Sequence, residues 1–293
     1  MSFTLLVGGA VLGLLTGGVY ALMASGLTLI FGVMRIINVG HGALVIVGAY
    51  LSYLLLQHLH IDPLLGLLIT MPAMFVLGVV LEVVFIRPLK TDREELSLLV
   101  TWALALGLEG LLGYAFGTNF VQLTVGYDTA SFAIGSFHIT YIYLYGFLLA
   151  MVIMGGLFVM LYRTGFGASV RATMLNRDAA QLIGINVERV SALTFGIGTA
   201  TAAAGGAIFG ILNSFNPGSH YDLIGHLLII IVLGGFGSFR GAILAALGVL
   251  VIQDIVSVAI SPTWADFTFY ALLIVMLAVR PQGLFGVRLR EAT

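Results

Sequence analysis

The chain contains no cysteine. It therefore forms no disulfide, offers no thiolate to a metal and carries no cysteine nucleophile. Charge is nearly as scarce. Twelve basic and 13 acidic side chains make up 9% of 293 residues, where a soluble domain carries about 25%. The net charge of -1 leaves no basic face for a nucleic acid. Two catalytic patterns are missing as well. There is no Walker A run to bind ATP. There is no Gly-x-Ser-x-Gly elbow, because Gly235-Phe236-Gly237-Ser238 has the wrong register.

Apolar residues are abundant: 60% of the chain is hydrophobic, and the mean hydropathy is +1.12. A soluble domain of this size cannot bury so much apolar surface, so the solvent is lipid. About nine spans of ~20 residues would use roughly 180 residues. That leaves short loops and a single transmembrane domain over 1–293, with no room for a soluble nucleotide-binding domain. The apolar runs are continuous and do not alternate, which excludes an outer-membrane barrel. The first run, from Phe3 to about Ile37, is not read as a signal peptide. No basic residue precedes it, and no small-residue cleavage site follows a short core.

The expected fold is all-α and polytopic, with about eight to ten transmembrane helices. Spans are read at 5–31, 40–57, 63–86, 96–116, 141–162, 190–212, 223–237, 241–260 and 266–280. Asp62-Pro63 reads as an N-cap with proline at the first helical position. Arg87-Pro88 ends the third span, because the residue before proline leaves the helical region. Asn186 is placed to cap a helix beginning near Val187, Arg280-Pro281 ends the last span, and Pro72 is expected to kink its helix.

Alternating the spans sorts the loops by charge. One set holds Arg35, Arg87, Lys90, Arg93, Arg163, Arg171, Arg177, Arg189, Arg240, Arg280, Arg288 and Arg290, all 12 basic residues. The other set holds Asp62, Asp128, Asp222 and Asp266 and no basic residue. The positive-inside rule puts the first set in the cytoplasm and the amino terminus outside. Residues 5–37 can alternatively be a full helix followed by a short broken one, which would put the amino terminus inside.

Gly9, Gly13 and Gly17 recur every four residues, as do Gly206 and Gly210. In lipid such stripes let helices approach closely. The alanine- and glycine-rich run from Ala200 to Ala207 predicts a helix buried on nearly every side.

One loop is too polar for lipid. Within 163–190, Ala168, Ala172, Leu175, Ala179 and Leu182 recur at spacings of four and three, the signature of one helix face. Arg171, Arg177, Asp178 and Gln181 lie off that face, and Gly184 can end the helix. A single helix over 168–184 is expected. Its shallow alanine face suits a groove on another protein, and is small for a helix resting on lipid.

At this loop the chain resembles a known family. The run from Arg171 through Asn176, Ala180 and Leu182 to Val190 is similar to the coupling segment of the branched-chain amino acid ABC transporter permeases. Asn38-Val39-Gly40-His41-Gly42 looks like that family's Asn-x-Ala-His-Gly signature. Glu82 with Arg87-Pro88-Leu89, Gly234-Gly235-Phe236-Gly237-Ser238 and Arg280-Pro281-Gln282-Gly283-Leu284-Phe285-Gly286 fit further motifs in order. Gly40, Ala43 and His226 depart from it, standing where alanine, an acidic residue and lysine are common. The resemblance implies an inverted repeat of helices. It implies a second, homologous permease chain, two cytoplasmic ATP-binding subunits on the coupling segments and a periplasmic substrate-binding protein. It also implies a bacterial inner membrane location, and no cofactor in this chain, with ATP bound by the partner subunits.

Charge within a span is costly, so each polar residue there is a functional candidate. Asn38, His41 and Gly42 either line the translocation path or tie an unwound helix end to a neighbour. His226 is alone on an apolar helix, read either as path-lining or as an interior histidine. Glu82 is expected to pair with Arg87 or a neighbouring helix. Glu109 is neutral by desolvation or paired across helices, and Asp254 with Gln253 is similar. Asn213 and Asn216 belong to the outer mouth. His58, His60 and Asp62 have a metal-like look but lack a fourth ligand.

The leading reading is a permease subunit of an ATP-driven importer for a small amino acid, with Leu, Ile or Val foremost. A stand-alone channel or ion-coupled carrier is the alternative, as is an importer of another small carboxylate or amide such as an aromatic acid or urea. An intramembrane enzyme would need Glu109 and Asp254 to come together.

Overall fold

A computed structural model describes residues 3–89, 93–127, 130–134, 137–280 and 282–285. Lys90, Asp128, Pro281, Gly286, Arg288 and Arg290 lie outside the described residues. Among the described residues eleven α-helices follow one another: α1 Phe3–Met34, α2 His41–Leu59, α3 Pro63–Leu81, α4 Arg93–Phe116, α5 Tyr141–Arg163, α6 Gly165–Leu175, α7 Arg177–Leu182, α8 Val187–Leu212, α9 His220–Gly234, α10 Phe239–Ala259 and α11 Pro262–Val279. Among the described residues, nine segments are long and apolar enough to cross a membrane. The chain is an all-α, multi-pass membrane protein. An antiparallel hairpin, β1 Ser131–Ile134 with β2 Phe137–Thr140, sits in the loop before α5 and was not anticipated from the pattern.

The caps follow local chemistry. Asp62 accepts from the Leu64 amide at 2.9 Å with Pro63 behind it, and Asn186 accepts from the Arg189 amide at 2.9 Å. The α3 helix runs through Pro72 and ends in a π turn, Glu82–Ile86, ahead of Arg87-Pro88. There the buried Glu82 pairs with Arg87 at 3.2 Å, and Arg87 reaches Glu188 of α8 at 4.0 Å.

The first span is one unbroken helix of 32 residues. Its glycine stripe is a contact surface. A Cβ on Gly13 would lie 2.5 Å from the Leu250 carbonyl, and one on Gly9 would lie 3.1 Å from the Asp254 carbonyl. Glycine therefore lets α1 and α10 touch backbone to backbone. The same device joins α3 to α8, where a Cβ on Gly78 would lie 2.5 Å from Thr199 Oγ1. As the alanine-rich run predicts, α8 is buried on nearly all sides.

Two four-helix units repeat this arrangement in opposite directions. The α1 helix lies on α10 as α8 lies on α3; α2 packs on α3 as α9 packs on α10; α2 reaches α4 as α9 reaches α11. Odd and even spans cross in opposite senses, so α8–α11 invert α1–α4, the inverted repeat of many transporters. The ends of the bundle differ in charge: the loops with Arg35, Arg87, Arg163, Arg189 and Arg240 share one end, here the basic end, and Asp62 marks the other.

In each unit the second helix begins deep in the bundle. After Met34 the chain turns at Arg35 (φ 54) and runs back beside α1 without helical structure. His41 Nε2 reaches the Met23 carbonyl at 3.1 Å, eleven residues back along α1 and so roughly 17 Å from its end at 1.5 Å per residue. Such non-helical backbone at depth needs polar partners. Thr101 of α4 supplies them, its hydroxyl taking the Val39 amide at 3.2 Å and facing the Ile37 carbonyl at 3.4 Å. The mirror segment, 213–219, enters from the opposite end. It bridges Val121 to Phe215, with the Leu123 amide on the Gly210 carbonyl at 2.9 Å.

Candidate functional site

The two inward-starting helices meet. A Cβ on Gly42, at the start of α2, would lie 2.6 Å from the His220 carbonyl at the start of α9. Both N-terminal ends are positive poles of helix dipoles, so their approach calls for a nearby negative group. Glu109 of α4 is that group. Its Oε2 accepts from the Tyr221 hydroxyl at 2.7 Å and lies 3.1 Å from His220 Nε2.

Glu109 also faces a cavity of about 400 Å³, walled by Leu106, Gly110 and Gly113 of α4, by Thr118 and by the turn 216–218. The turn is fixed by its own capping. Ser219 Oγ takes the Asn216 amide at 3.0 Å and gives a hydrogen bond to Asn216 Oδ1 at 3.1 Å, while Asn216 Nδ2 reaches the Thr118 carbonyl at 3.4 Å. Gly107, Gly110 and Gly113 have nothing within 4 Å of an added Cβ. That side of α4 is thus open and flat, and the cavity opens there.

At the basic end the polar loop forms two helices. Asn176 breaks the expected single helix. Its backbone is extended, and its side chain accepts from the Asp178 and Ala179 amides at 3.0 Å, starting α7. Gly184 (φ 87) follows the end of α7 as expected. The expected face is largely outward: Leu175 is 82% exposed, Leu182 89% and Ile183 75%, with Ala168 and Ala179 exposed and Ala172 half-buried. Ala180 is buried and belongs to the inner side instead. Arg171 also turns inward, donating to the Leu161 carbonyl and lying 5.4 Å from the centre of the Tyr162 ring.

The family described as the permease component of branched-chain amino acid transport systems matches residues 9–277. The chain belongs to this family. It is 28% identical to the high-affinity branched-chain amino acid transport system permease protein LivH of Escherichia coli, over 94% of this chain and 93% of that one. It is 26% identical to the corresponding permease protein BraD of Pseudomonas aeruginosa, over 94% of each chain. It is 25% identical to the permease protein LivM of Escherichia coli, over 91% of this chain and 67% of that one. No solved structure matches.

The other residues singled out in the sequence take separate places in this permease. Asn38 and His41 are buried at the start of α2 and do not wall the cavity; Asn38 Nδ2, His41 Nδ1 and His220 Nδ1 have no hydrogen-bond partner among the described residues. Gly42 serves the contact with His220. Asn213 caps the end of α8, its amide turned back to the Phe209 carbonyl at 3.3 Å. His226 is enclosed by aromatic rings, 4.5 Å from Phe269 and 6.0 Å from Tyr20, with Nδ1 on the Asp222 carbonyl at 2.9 Å. Asp254 accepts from Thr16 of α1 at 3.2 Å. Glu109 and Asp254 thus engage different partners, and the paired-carboxylate arrangement of an intramembrane enzyme is not formed. Asp62, besides capping α3, accepts from the Tyr127 hydroxyl at 2.7 Å, and among the described residues no cluster of metal-binding side chains occurs. His220 and Tyr221 were missed by sequence reasoning. Their signal was the preceding Asn216-Pro217-Gly218-Ser219, which marks a helix start earlier than 223.

Proposed function

We propose that this permease is the membrane-spanning subunit of an ATP-driven importer of branched-chain or closely related small amino acids in a bacterial inner membrane. It pairs with a second, homologous permease chain. Two cytoplasmic ATP-binding subunits drive the pair, and a periplasmic binding protein delivers the substrate. The chain itself holds no cofactor.

The cavity beside Glu109 is the observation that carries this reading. A small amino acid is a zwitterion with an apolar tail. Glu109 offers a carboxylate to its ammonium group, the two helix starts favour its carboxylate, and Leu106 with the bare glycine face leaves room for the tail. The branched-chain amino acid permeases LivH and BraD, which the chain is similar to, support the substrate class. The glycine face of α4 would meet the second permease, closing the cavity into a path between the two chains. The outward Leu175, Leu182 and Ile183 would seat in a groove on the ATP-binding subunit. ATP-driven closure of those subunits would then move α6 and α7 against the spans, turning the path from inward to outward facing.

Reconstitution of the chain with its partner subunits in proteoliposomes is the test. Leucine uptake should require ATP and the binding protein together. Uptake by this chain alone, with neither, would refute the importer reading and favour a stand-alone carrier.

A further inference from the structure

A second cavity lies at the basic end, away from Glu109. It encloses about 350 Å³ between the end of α5, helix α6 and the turn from α9 to α10, with Phe285 at its edge. Two arginines converge on it. Arg171 from α6 and Arg240 from α10 each place a guanidinium 5.4 Å from the centre of the same Tyr162 ring, and Arg240 lies 5.9 Å from the Phe158 ring as well. Neither has a carboxylate within ion-pair distance among the described residues. Two like charges gathered on one ring repel each other. The arrangement is stable when an anion shares them, and paired guanidinium forks match the oxygens of a phosphate.

What adjoins the cations says where such a phosphate comes from. The α5 and α10 helices both pack on α1 but make little contact with each other. A furrow therefore runs between them from the arginines into the span. Met151, seven residues before Phe158 and so on the same face of α5, and Leu244, one turn after Arg240 on α10, are exposed, and Gly155 and Gly248, next to them on those faces, have open space beside them. From Arg240 to Gly248 the furrow extends roughly 12 Å at the helical rise. An apolar channel that ends at two cations with no carboxylate partner among the described residues, level with the end of a spanning helix, has the amphiphilic pattern of a phospholipid.

We propose that this furrow holds one anionic phospholipid, its phosphate between Arg171 and Arg240 and an acyl chain between α5 and α10. Arg240 is the discriminating residue. Arg171 also holds the Leu161 carbonyl, so its loss would disturb α6, whereas Arg240 makes no hydrogen bond within the chain among the described residues. A lipid seated here touches both α6 and the α9–α10 turn, and so braces the segment that carries Leu175 against the spanning helices.

The test is native mass spectrometry of the full-length permease, stripped of lipid in detergent and then given phosphatidylglycerol or phosphatidylcholine. The wild type should retain one phosphatidylglycerol in preference to phosphatidylcholine. R240Q should lower that retention about ten-fold, the weight of one charge-assisted hydrogen bond. R189Q, at the same end but outside the furrow, should retain lipid as the wild type does. Millimolar inorganic phosphate should not displace the lipid. Undiminished retention by R240Q, equal loss in R189Q, or equal retention of phosphatidylcholine would each overturn the proposal. Displacement by inorganic phosphate would assign the arginines to a soluble anion and overturn it too.

Discussion

His220 Nε2 stands 3.1 Å from Glu109 Oε2, joining the start of α9 to a carboxylate on α4. The contact spans 111 residues of sequence and sits where two helix starts converge. Their combined dipoles favour a negative group there, and the Tyr221 hydroxyl, at 2.7 Å, adds a second hydrogen bond to the same oxygen. One edge of Glu109 is therefore fixed by the protein, while the residue still faces the cavity.

Removing that charge without changing its shape is informative. Glu109→Gln should reduce leucine uptake by about ten-fold or more, since a hydrogen bond to a charged group contributes about 1.5–3 kcal/mol. Tyr221→Phe, which removes one hydrogen bond and leaves the carboxylate, should have the smaller effect. Uptake rates per folded complex in proteoliposomes check the order. Equal effects would show that Tyr221 and Glu109 act as one unit.

His226 has the opposite character. It is packed among Phe269, Tyr20 and Tyr270, with its ring nitrogen on the Asp222 carbonyl. His226→Ala should leave a cavity and destabilise the fold by about 2 kcal/mol or more, as large-to-small core changes do. Folded yield and melting temperature in detergent should fall, with little change in uptake per folded molecule. A normal yield with lost uptake would instead put His226 on the path.

These two residues also mark how far the sequence could be read. Span number, cap residues and the α1 glycine stripe were legible, because lipid demands long apolar runs and close packing demands glycine. The segments that re-enter the bundle were legible only in part, the unwound helix end at Asn38 and His41 being one of two alternatives. Ile36, Ile37 and Val39 are as apolar as the helices around them, so composition does not change where the helix stops. His220 and Tyr221 were hidden for a related reason: the second re-entrant segment moves the helix start to 220, where a loop to the membrane surface was expected. The break at Asn176 is masked because the alanine spacing continues across it, although asparagine is itself a favoured N-cap residue.

Asn176 gives a prediction of its own. Its side chain holds two amides at the start of α7, a helix of only 6 residues. Asn176→Ala should cost about 1 kcal/mol locally, enough to fray so short a helix. Hydrogen exchange of 177–183 should quicken while α8 stays protected. Coupling of nucleotide hydrolysis to uptake should weaken in proportion.

The α1–α10 contact can be tested by adding a side chain at one glycine. At Gly13 any Cβ meets the Leu250 carbonyl at 2.5 Å and the Val251 Cα at 2.6 Å, and backbone cannot yield as a side chain does. Gly13→Ile should destabilise by at least the 1–3 kcal/mol typical of overpacking, about a tenfold or greater loss of folded fraction near the midpoint. Gly248→Ala, whose Cβ would meet open space on the same helix pair, should be close to neutral. Size-exclusion profiles after graded heating separate the two.

The outward side of α6 and α7 is where a partner would be felt. Ala179 is exposed and carries no hydrogen bond through its side chain, so Ala179→Glu changes surface chemistry and not the fold. If the ATP-binding subunit seats an apolar groove over Ala179, Leu182 and Ile183, a buried, unpaired carboxylate there should cost several kcal/mol, about a hundredfold or more in affinity. The purified variant should keep the melting temperature of the wild type and lose the co-purifying ATPase. Retained ATPase at full stoichiometry would move the docking surface elsewhere on the basic end, and the exposed leucines of α6 and α7 would then lie at the membrane surface.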